Sequence, residues 1–222
     1  MFGVCMIKLS KRLETAAKMV RYDCSLADIG CDHGYVPVYL IQQGIIKNAI
    51  ASDINEKPLS SCRALVKENG LEDKIKCVLS NGLENINLDE IDDILIAGMG
   101  GELIADILSN CDMNKLKEKH LILNPMTHPE IARKFLYENG FAIVNDTVVK
   151  DGRHYYCIMD SVYTGAVKKY DSLDFYFGNI KINDDNKGYF LHLLNYLKNK
   201  QKSGENHSEV ISAIEEKTND NG

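Results

Sequence analysis

Residues 141–163, FAIVNDTVV-KDGR-HYYCIMDSVY, read as two β-rich runs joined by a four-residue turn. Asp-Gly between such runs favours the positive φ angles of a tight connection, so residues 141–149 and 154–163 are predicted to pair as an antiparallel hairpin. Upstream the rhythm differs. Short apolar runs at 24–30, 48–53, 74–79, 93–97 and 120–123 alternate with helical periodicity from Gly34 to about Gln43, from Pro58 to Glu68, from Gly101 to about Leu108, and from Pro129 to Glu138. Alternation of this kind requires a parallel sheet covered on both faces. Five parallel strands finished by a hairpin depart from the all-parallel dinucleotide-binding fold, whose last strands are joined through a helix.

The two ends of the chain carry different patterns. Leu9, Leu13, Ala16, Ala17 and Val20 fall at helical spacing with Lys11, Arg12, Lys18 and Arg21 between them, which predicts a basic amphipathic helix within residues 1–21. Beyond Thr164 the composition turns polar and lysine-rich. Tyr189, Leu193, Leu194 and Leu197 mark one helical face and Val210, Ile211 and Ile214 another, separated by residues 203–208, so a short helical hairpin is expected. The expected division is residues 1–21, a core at 22–164, and a helical region at 165–222.

The chain has 222 residues, 45% hydrophobic and 26% charged, which excludes a disordered or collagen-like chain and permits a substantial core. A net charge of −6 argues against coating nucleic acid through bulk positive charge and leaves room for a local basic patch. Seven scattered cysteines with no Cys-x-x-Cys pair read as reduced thiols of the cytosol. The apolar opening precedes Lys8, Lys11 and Arg12, the reverse of a signal peptide's order, and no later apolar run approaches a membrane span. A cytoplasmic protein is expected.

In an open parallel sheet, ligands bind beyond the carboxyl ends of the strands, so the loops there hold the chemistry. The first is Asp28-Ile-Gly-Cys-Asp-His-Gly34, whose glycines suit either plain turn geometry or close approach of a ligand. The second carries Asp53, an acid suited to gripping two ribose hydroxyls, followed by Ile54. Loop three, Ser80-Asn81-Gly82, reads as a turn or as an adenine contact through the Asn81 amide. In loop four, Gly98-Met99-Gly100-Gly101 has more glycine than a turn requires, and no Lys-Ser or Lys-Thr follows to make a P-loop. Loop five is Asn124-Pro125-Met126-Thr127-His128. A metal site at Cys31, Asp32 and His33 is disfavoured, because adjacent residues of one loop cannot close a tetrahedral shell.

These segments resemble the bacterial tRNA (adenine(22)-N1)-methyltransferases. The resemblance runs through Leu9-Ser-Lys-Arg-Leu13, Ala27-Asp-Ile-Gly-Cys-Asp-His-Gly-Tyr-Val-Pro37, Ile96-Ala-Gly-Met-Gly-Gly101, Pro125-Met-Thr-His-Pro129 and Asp151-Gly-Arg-His-Tyr-Tyr156, about three quarters of the chain. It implies a class I, Rossmann-like, S-adenosylmethionine-dependent methyltransferase with a C-terminal helical, coiled-coil-like region, acting on N1 of an adenosine in tRNA. Donor contacts are then expected from Asp28, Gly30, His33, Gly34, Asp53, Ile54, Asn81, Gly82 and Gly98. Gly98 to Gly101 and Asn124 to Met126 are expected to wall a flipped adenine, with Asp32, Asn124 and Met99 nearest the reaction. Lys8, Lys11, Arg12, Gly100, Gly101, Pro125, Met126 and Arg153 are assigned to tRNA, and no metal or membrane is expected.

Blander readings stand beside these. A basic helix is commonly only a solvated face, and Asp28 could merely cap a helix. His33 reads as loop scaffold or substrate contact, since adenine N1 already offers a lone pair and needs no general base. For Tyr155 and Tyr156, strand alternation predicts one buried and one exposed ring. Two other functions are carried forward: a small-molecule methyltransferase, favoured by the net acidity, and a non-catalytic tRNA-binding protein built on the same scaffold.

Overall fold

The computed structural model describes residues 6–166 and 169–219; Cys5 and most of the apolar opening lie outside them. A seven-stranded sheet runs in the order β3-β2-β1-β4-β5-β7-β6. Its strands are β1 (Ser25–Ile29), β2 (Asn48–Asp53), β3 (Ile75–Leu79), β4 (Asp93–Met99), β5 (His120–Pro125), β6 (Phe141–Asp151) and β7 (His154–Tyr163). Strands β1 to β5 are parallel, and β7 enters antiparallel between β5 and β6. The strand order reverses between β1 and β4, which opens a crevice above their carboxyl ends.

Each face of the sheet is covered because alternate residues of the strands are apolar on both sides. Leu26, Ala49, Ala51, Leu95, Ile122 and Ile158 pack toward α1 (Lys11–Ala17), α2 (Tyr35–Gln42) and α3 (Glu56–Glu68). Ala27, Ile94, Ile96, Leu121, Leu123 and Met159 face α4 (Gly101–Ser109) and α6 (Pro129–Glu138), with the short α5 (Met113–Leu116) below. The same core continues into α7 (Ser172–Phe177), α8 (Lys187–Lys202) and α9 (Ser208–Asn219) through Phe177, Phe190, Leu197, Val210 and Ile214. The expected helical hairpin is therefore present: α9 packs on α7, α7 packs on α6, and α8 reaches Tyr155 of β7 through His192. Helix α7, capped reciprocally by Asp171 and Asp174, is an element that the polar composition of its segment concealed.

The N-terminal helix is shorter than its periodicity suggested, and its cations do not form one solvated face. Among the described residues of this segment the helix spans 11–17, opened by Ser10, whose Oγ accepts from the Leu13 amide. Arg21 is committed to the fully buried Asp93, with Nε 2.7 Å from Oδ1, and Lys18 pairs with Glu14. Lys8 and Lys11 stay exposed, whereas Arg12 turns inward.

Asp93 also anchors a buried charge relay at the amino ends of the strands. His120 lies with Nδ1 3.2 Å from Asp93 Oδ2 and Nε2 3.3 Å from Asp160 Oδ2. Burial alone would lower the imidazolium's pKa, but the two carboxylates outweigh it and push the pKa up to about 9. A pKa above the unfolded value means that this contribution to stability is complete below pH ~6.5 and is lost as pH rises through about 9. Urea titrations at the two ends of that window should therefore show a falling midpoint at alkaline pH. In His120→Gln the decline should be absent; an equal decline there would place its origin elsewhere.

Candidate active site

The switch point opens into a cavity of about 510 Å³ bordered by the loops after β1, β2, β3 and β4 and by Arg12 of α1. Loop one is drawn over β2 by two amides, Gly30 N and Cys31 N, which both donate to Ser52 O at 2.8 Å. Gly34 closes it with φ of +74°, and a Cβ there would lie 2.4 Å from Cys62 Sγ, so the approach of loop one to α3 requires glycine. Asp32 adopts a φ of +52°, a left-handed conformation uncommon outside glycine.

The acids of the first two loops sit in contrasting settings. Asp28 is only 4% exposed, and its carboxylate has no hydrogen-bond partner among the described residues. Burial, then the proximity of Asp53, pushes its pKa up to about 7. Asp53 ends β2, lines the cavity and uses Oδ1 to accept from the Asn55 amide at 2.8 Å, while its Oδ2 makes no hydrogen bond among the described residues. Asp32 stands at the rim with its side chain 71% exposed and its Oδ1 3.6 Å from His33 Nε2. Ile54, 60% exposed, supplies an apolar wall, and Asn81 spends its Nδ2 on Glu84, which leaves its carbonyl oxygen free to accept.

Most of the expected donor residues therefore meet here: Asp28, Gly30, Asp53, Ile54, Asn81, Gly82 and Gly98 border one cavity, together with Asp32, Met99, Met126 and Arg12. Others do not border it. His33 turns to Asp32 and stacks obliquely near Tyr35, at 5.4 Å between centroids, and Gly34 lies behind the loop against α3. Lys8, Gly100, Gly101, Pro125 and Arg153 also lie off the cavity, with Arg153 exposed in the hairpin turn. Gly101 has a packing reason for its lack of a side chain: a Cβ would fall 2.0 Å from His128 O, and its amide donates to Thr127 O. That contact and Met126 N to Met99 O lock loops four and five together.

Asn124 is fully buried and does not reach the cavity. Its Nδ2 donates to Cys157 O at 2.8 Å and its Oδ1 accepts from Arg12 Nη1 at 2.6 Å. Arg12 also lies over the Tyr156 ring, 5.5 Å from its centroid, while its amide donates to Asp151 Oδ2. Asn124, Tyr156 and Asp151 thus aim a guanidinium at the crevice from the hairpin side. Leu103 and Ile107, also on the wall, escaped the sequence reading; as an i, i+4 pair beside the buried Ile104 and Leu108 they form a second apolar stripe on α4. Among the described residues no group of three or more His, Cys, Asp or Glu is placed to hold a metal, and no helix is long and apolar enough to cross a membrane.

Residues 9–159 match the methyltransferase domain family. A tRNA (adenine(22)-N(1))-methyltransferase of Bacillus subtilis is 38% identical over 150 residues, 67% of this chain and 63% of the relative, so the alignment spans somewhat less than two thirds of that protein. The crystal structure of the B. subtilis M1A22 tRNA methyltransferase TrmK superposes with a TM-score of 0.79 at 27% identity, covering 96% of this chain and 97% of that one. Sp1610 of Streptococcus pneumoniae, solved in complex with S-adenosyl-L-methionine, superposes with a TM-score of 0.85 at 32% identity over 95% of this chain and all of that one. With the hairpin-closed sheet and the crevice at its switch point, these likenesses show that the chain belongs to the methyltransferase domain family, alongside the B. subtilis enzyme.

Proposed function

We propose that the protein transfers a methyl group from S-adenosylmethionine to N1 of the adenosine at position 22 of tRNA. The observation that carries the donor half of this reading is the buried, unpartnered carboxylate of Asp28 beside the ribose-suited Asp53, in a cavity large enough for a nucleoside. An anionic, poorly solvated pocket fits a ligand that carries an ammonium and a sulfonium. S-Adenosylmethionine, when bound, supplies an electrophilic methyl carbon. Asp28 would hold its amino acid part, Asp53 the ribose, and Ile54, Asn81 and Gly82 the adenine.

The tRNA half rests on the relatives named above and on the shape of the rim. Met99, Met126 and Gly98 flank the open side, where a base turned out of its stack could enter. Arg12 on the cavity wall and the exposed Lys8 and Lys11 at the start of the chain's first helix would offer phosphate contacts, and Asp32 at the rim would accept from the adenine amine and ease the growing positive charge. The chain's work is alignment, with reacting atoms brought to about 3–3.5 Å. Incubation of the protein with donor and a tRNA transcript, followed by mass-spectrometric mapping, tests the reading: N1-methyladenosine at the single position is expected, and transfer to a small molecule alone would overturn it.

A pH dependence follows from Asp28. With its pKa pushed up to about 7, the carboxylate is partly protonated near neutrality and loses its attraction for a cationic donor below that point. Donor affinity should rise with pH, by up to about tenfold per unit below pH 7, and level off above it. Calorimetric titrations across that range should give this slope in the wild type and a flat profile in Asp28→Asn. A slope unchanged by the substitution would assign it to another group.

A further inference from the structure

A second groove, of about 590 Å³, begins at Met126, which also borders the donor cavity, and runs between loop five, the start of β7 and helix α8. Its walls are unusually aromatic: His128, His154, Tyr155, Tyr156, His192 and Tyr196 all line it. Core packing accounts for the half-buried Tyr156 but not for the outer wall, where Tyr196 and Met126 are each 40% exposed and His154 and His192 lie at the surface. The rings pair across the groove, His128 with Tyr196 at 6.1 Å and Tyr155 with His192 at 5.8 Å between centroids. Cations stand at its ring margins in a chain of net charge −6: Lys150 Nζ lies 5.5 Å from the Tyr155 centroid, Lys200 Nζ 5.9 Å from that of Tyr196, and Arg153 is exposed next to His154 in the chain. Acids are present too, each with a partner: Glu130 of the lining lies 2.9 Å from His128 Nδ1, Glu102 lies 3.7 Å from His128 Nε2, and Glu205 pairs with Lys200.

We propose that this groove is a stacking subsite for an unpaired tRNA nucleotide neighbouring the methylated adenosine, its base against the Tyr196 and His192 rings and its phosphate toward the Lys150 and Arg153 side. The inference rests on the functional reading above and deepens it. Aromatic faces with ammonium groups at their margins are what a single-stranded nucleotide recognises, because every base offers a π-face and every phosphate a charge. Continuity at Met126 places this occupant next to the base that enters the cavity. A nucleotide held there would keep its neighbour extruded, which couples the subsite to substrate affinity and not to the transfer step.

The test uses the full chain, donor and an unmodified tRNA transcript, with tRNA binding, donor binding and steady-state transfer measured side by side. Tyr196→Leu combined with His192→Ala should weaken tRNA binding and raise its KM by roughly 5- to 150-fold, the span for losing one stacked base. The rate at saturating tRNA and the donor affinity should stay at the wild-type level, and Tyr196→Phe, which keeps the ring, should bind tRNA as the wild type does. Unchanged tRNA affinity in the folded double variant would overturn the subsite. So would equal losses in Tyr196→Phe and Tyr196→Leu, or an effect confined to self-association, which would make the groove a contact between copies of this chain. Failure of the wild-type protein to methylate tRNA at all would instead fall on the functional reading.

Discussion

Replacing Asp146 with alanine is expected to cost about 3–5 kcal/mol of folding stability, the range for stranding one member of a buried ion pair. The side chains of Arg133 in α6 and Asp146 in β6 are both fully buried, and they meet through two bonds, Nε to Oδ2 at 2.9 Å and Nη2 to Oδ1 at 3.0 Å. Burial opposes the charge on the guanidinium, but Asp146 overcomes that penalty and holds the group firmly protonated. Nη1 donates to the carbonyls of Phe175 and Tyr176 and Nη2 also to Cys157 Sγ, while Asp146 Oδ2 also accepts from the Asn179 amide. The pair therefore clamps α6, β6 and the segment leading out of α7. Without Asp146 the guanidinium keeps its charge and loses the partner that compensates its dehydration. Urea unfolding of Asp146→Ala should show the loss, and Arg133→Leu with Asp146→Leu should recover a large part of it. A single-variant loss under ~1 kcal/mol would mean that water reaches the cation after substitution.

That clamp was invisible in the sequence, and the reason is instructive. Arg133 lies in a helix whose apolar stripe of Ala132, Phe135 and Leu136 is plain, but nothing in a one-dimensional pattern says that a cation beside the stripe points inward. Its partner stands 13 positions later on another element. The strands were legible because their apolar runs and their flanking turns obey short-range rules, and the hairpin because Asp-Gly sits between its arms. The cavity was legible for a topological reason: once a parallel sheet is inferred, the loops at its carboxyl edge become the site, so Asp28, Asp53 and Asn81 could be named before their distances were known.

Less legible was the direction of single side chains. Asn124, expected near the reaction, lies off the cavity because β5 ends with it inside, under Arg12. Tyr155 and Tyr156 obey strand alternation, but both are half-buried: Arg12 covers Tyr156 on one face of the hairpin and α8 covers Tyr155 on the other, where a Cβ on Gly188 would strike its hydroxyl. Alternation predicts opposite faces; it predicts exposure only when one of them is left bare.

Under the proposed function, Asp53→Ala and Asp32→Asn should separate donor binding from transfer. Asp53 is 92% withdrawn from solvent by its 8% exposure, and its free Oδ2 is the acceptor best placed for ribose hydroxyls. Losing charge-assisted bonds of this kind costs about 3 kcal/mol, or roughly 100-fold in donor affinity. Asp32 is different in both respects, since it is solvated and lies at the rim. Asparagine is the informative substitution there because it tolerates the positive φ that alanine would strain, so the change removes charge and leaves the loop in place. If Asp32 faces the adenine amine, its carboxylate matters most as positive charge grows on the base, and turnover should fall about tenfold or more while donor affinity holds. Calorimetric donor titration beside single-turnover transfer reads both quantities. Loss of donor binding in Asp32→Asn, with normal transfer once the donor is saturating, would move Asp32 from the base to the donor and leave the rim without its proposed electrostatic partner.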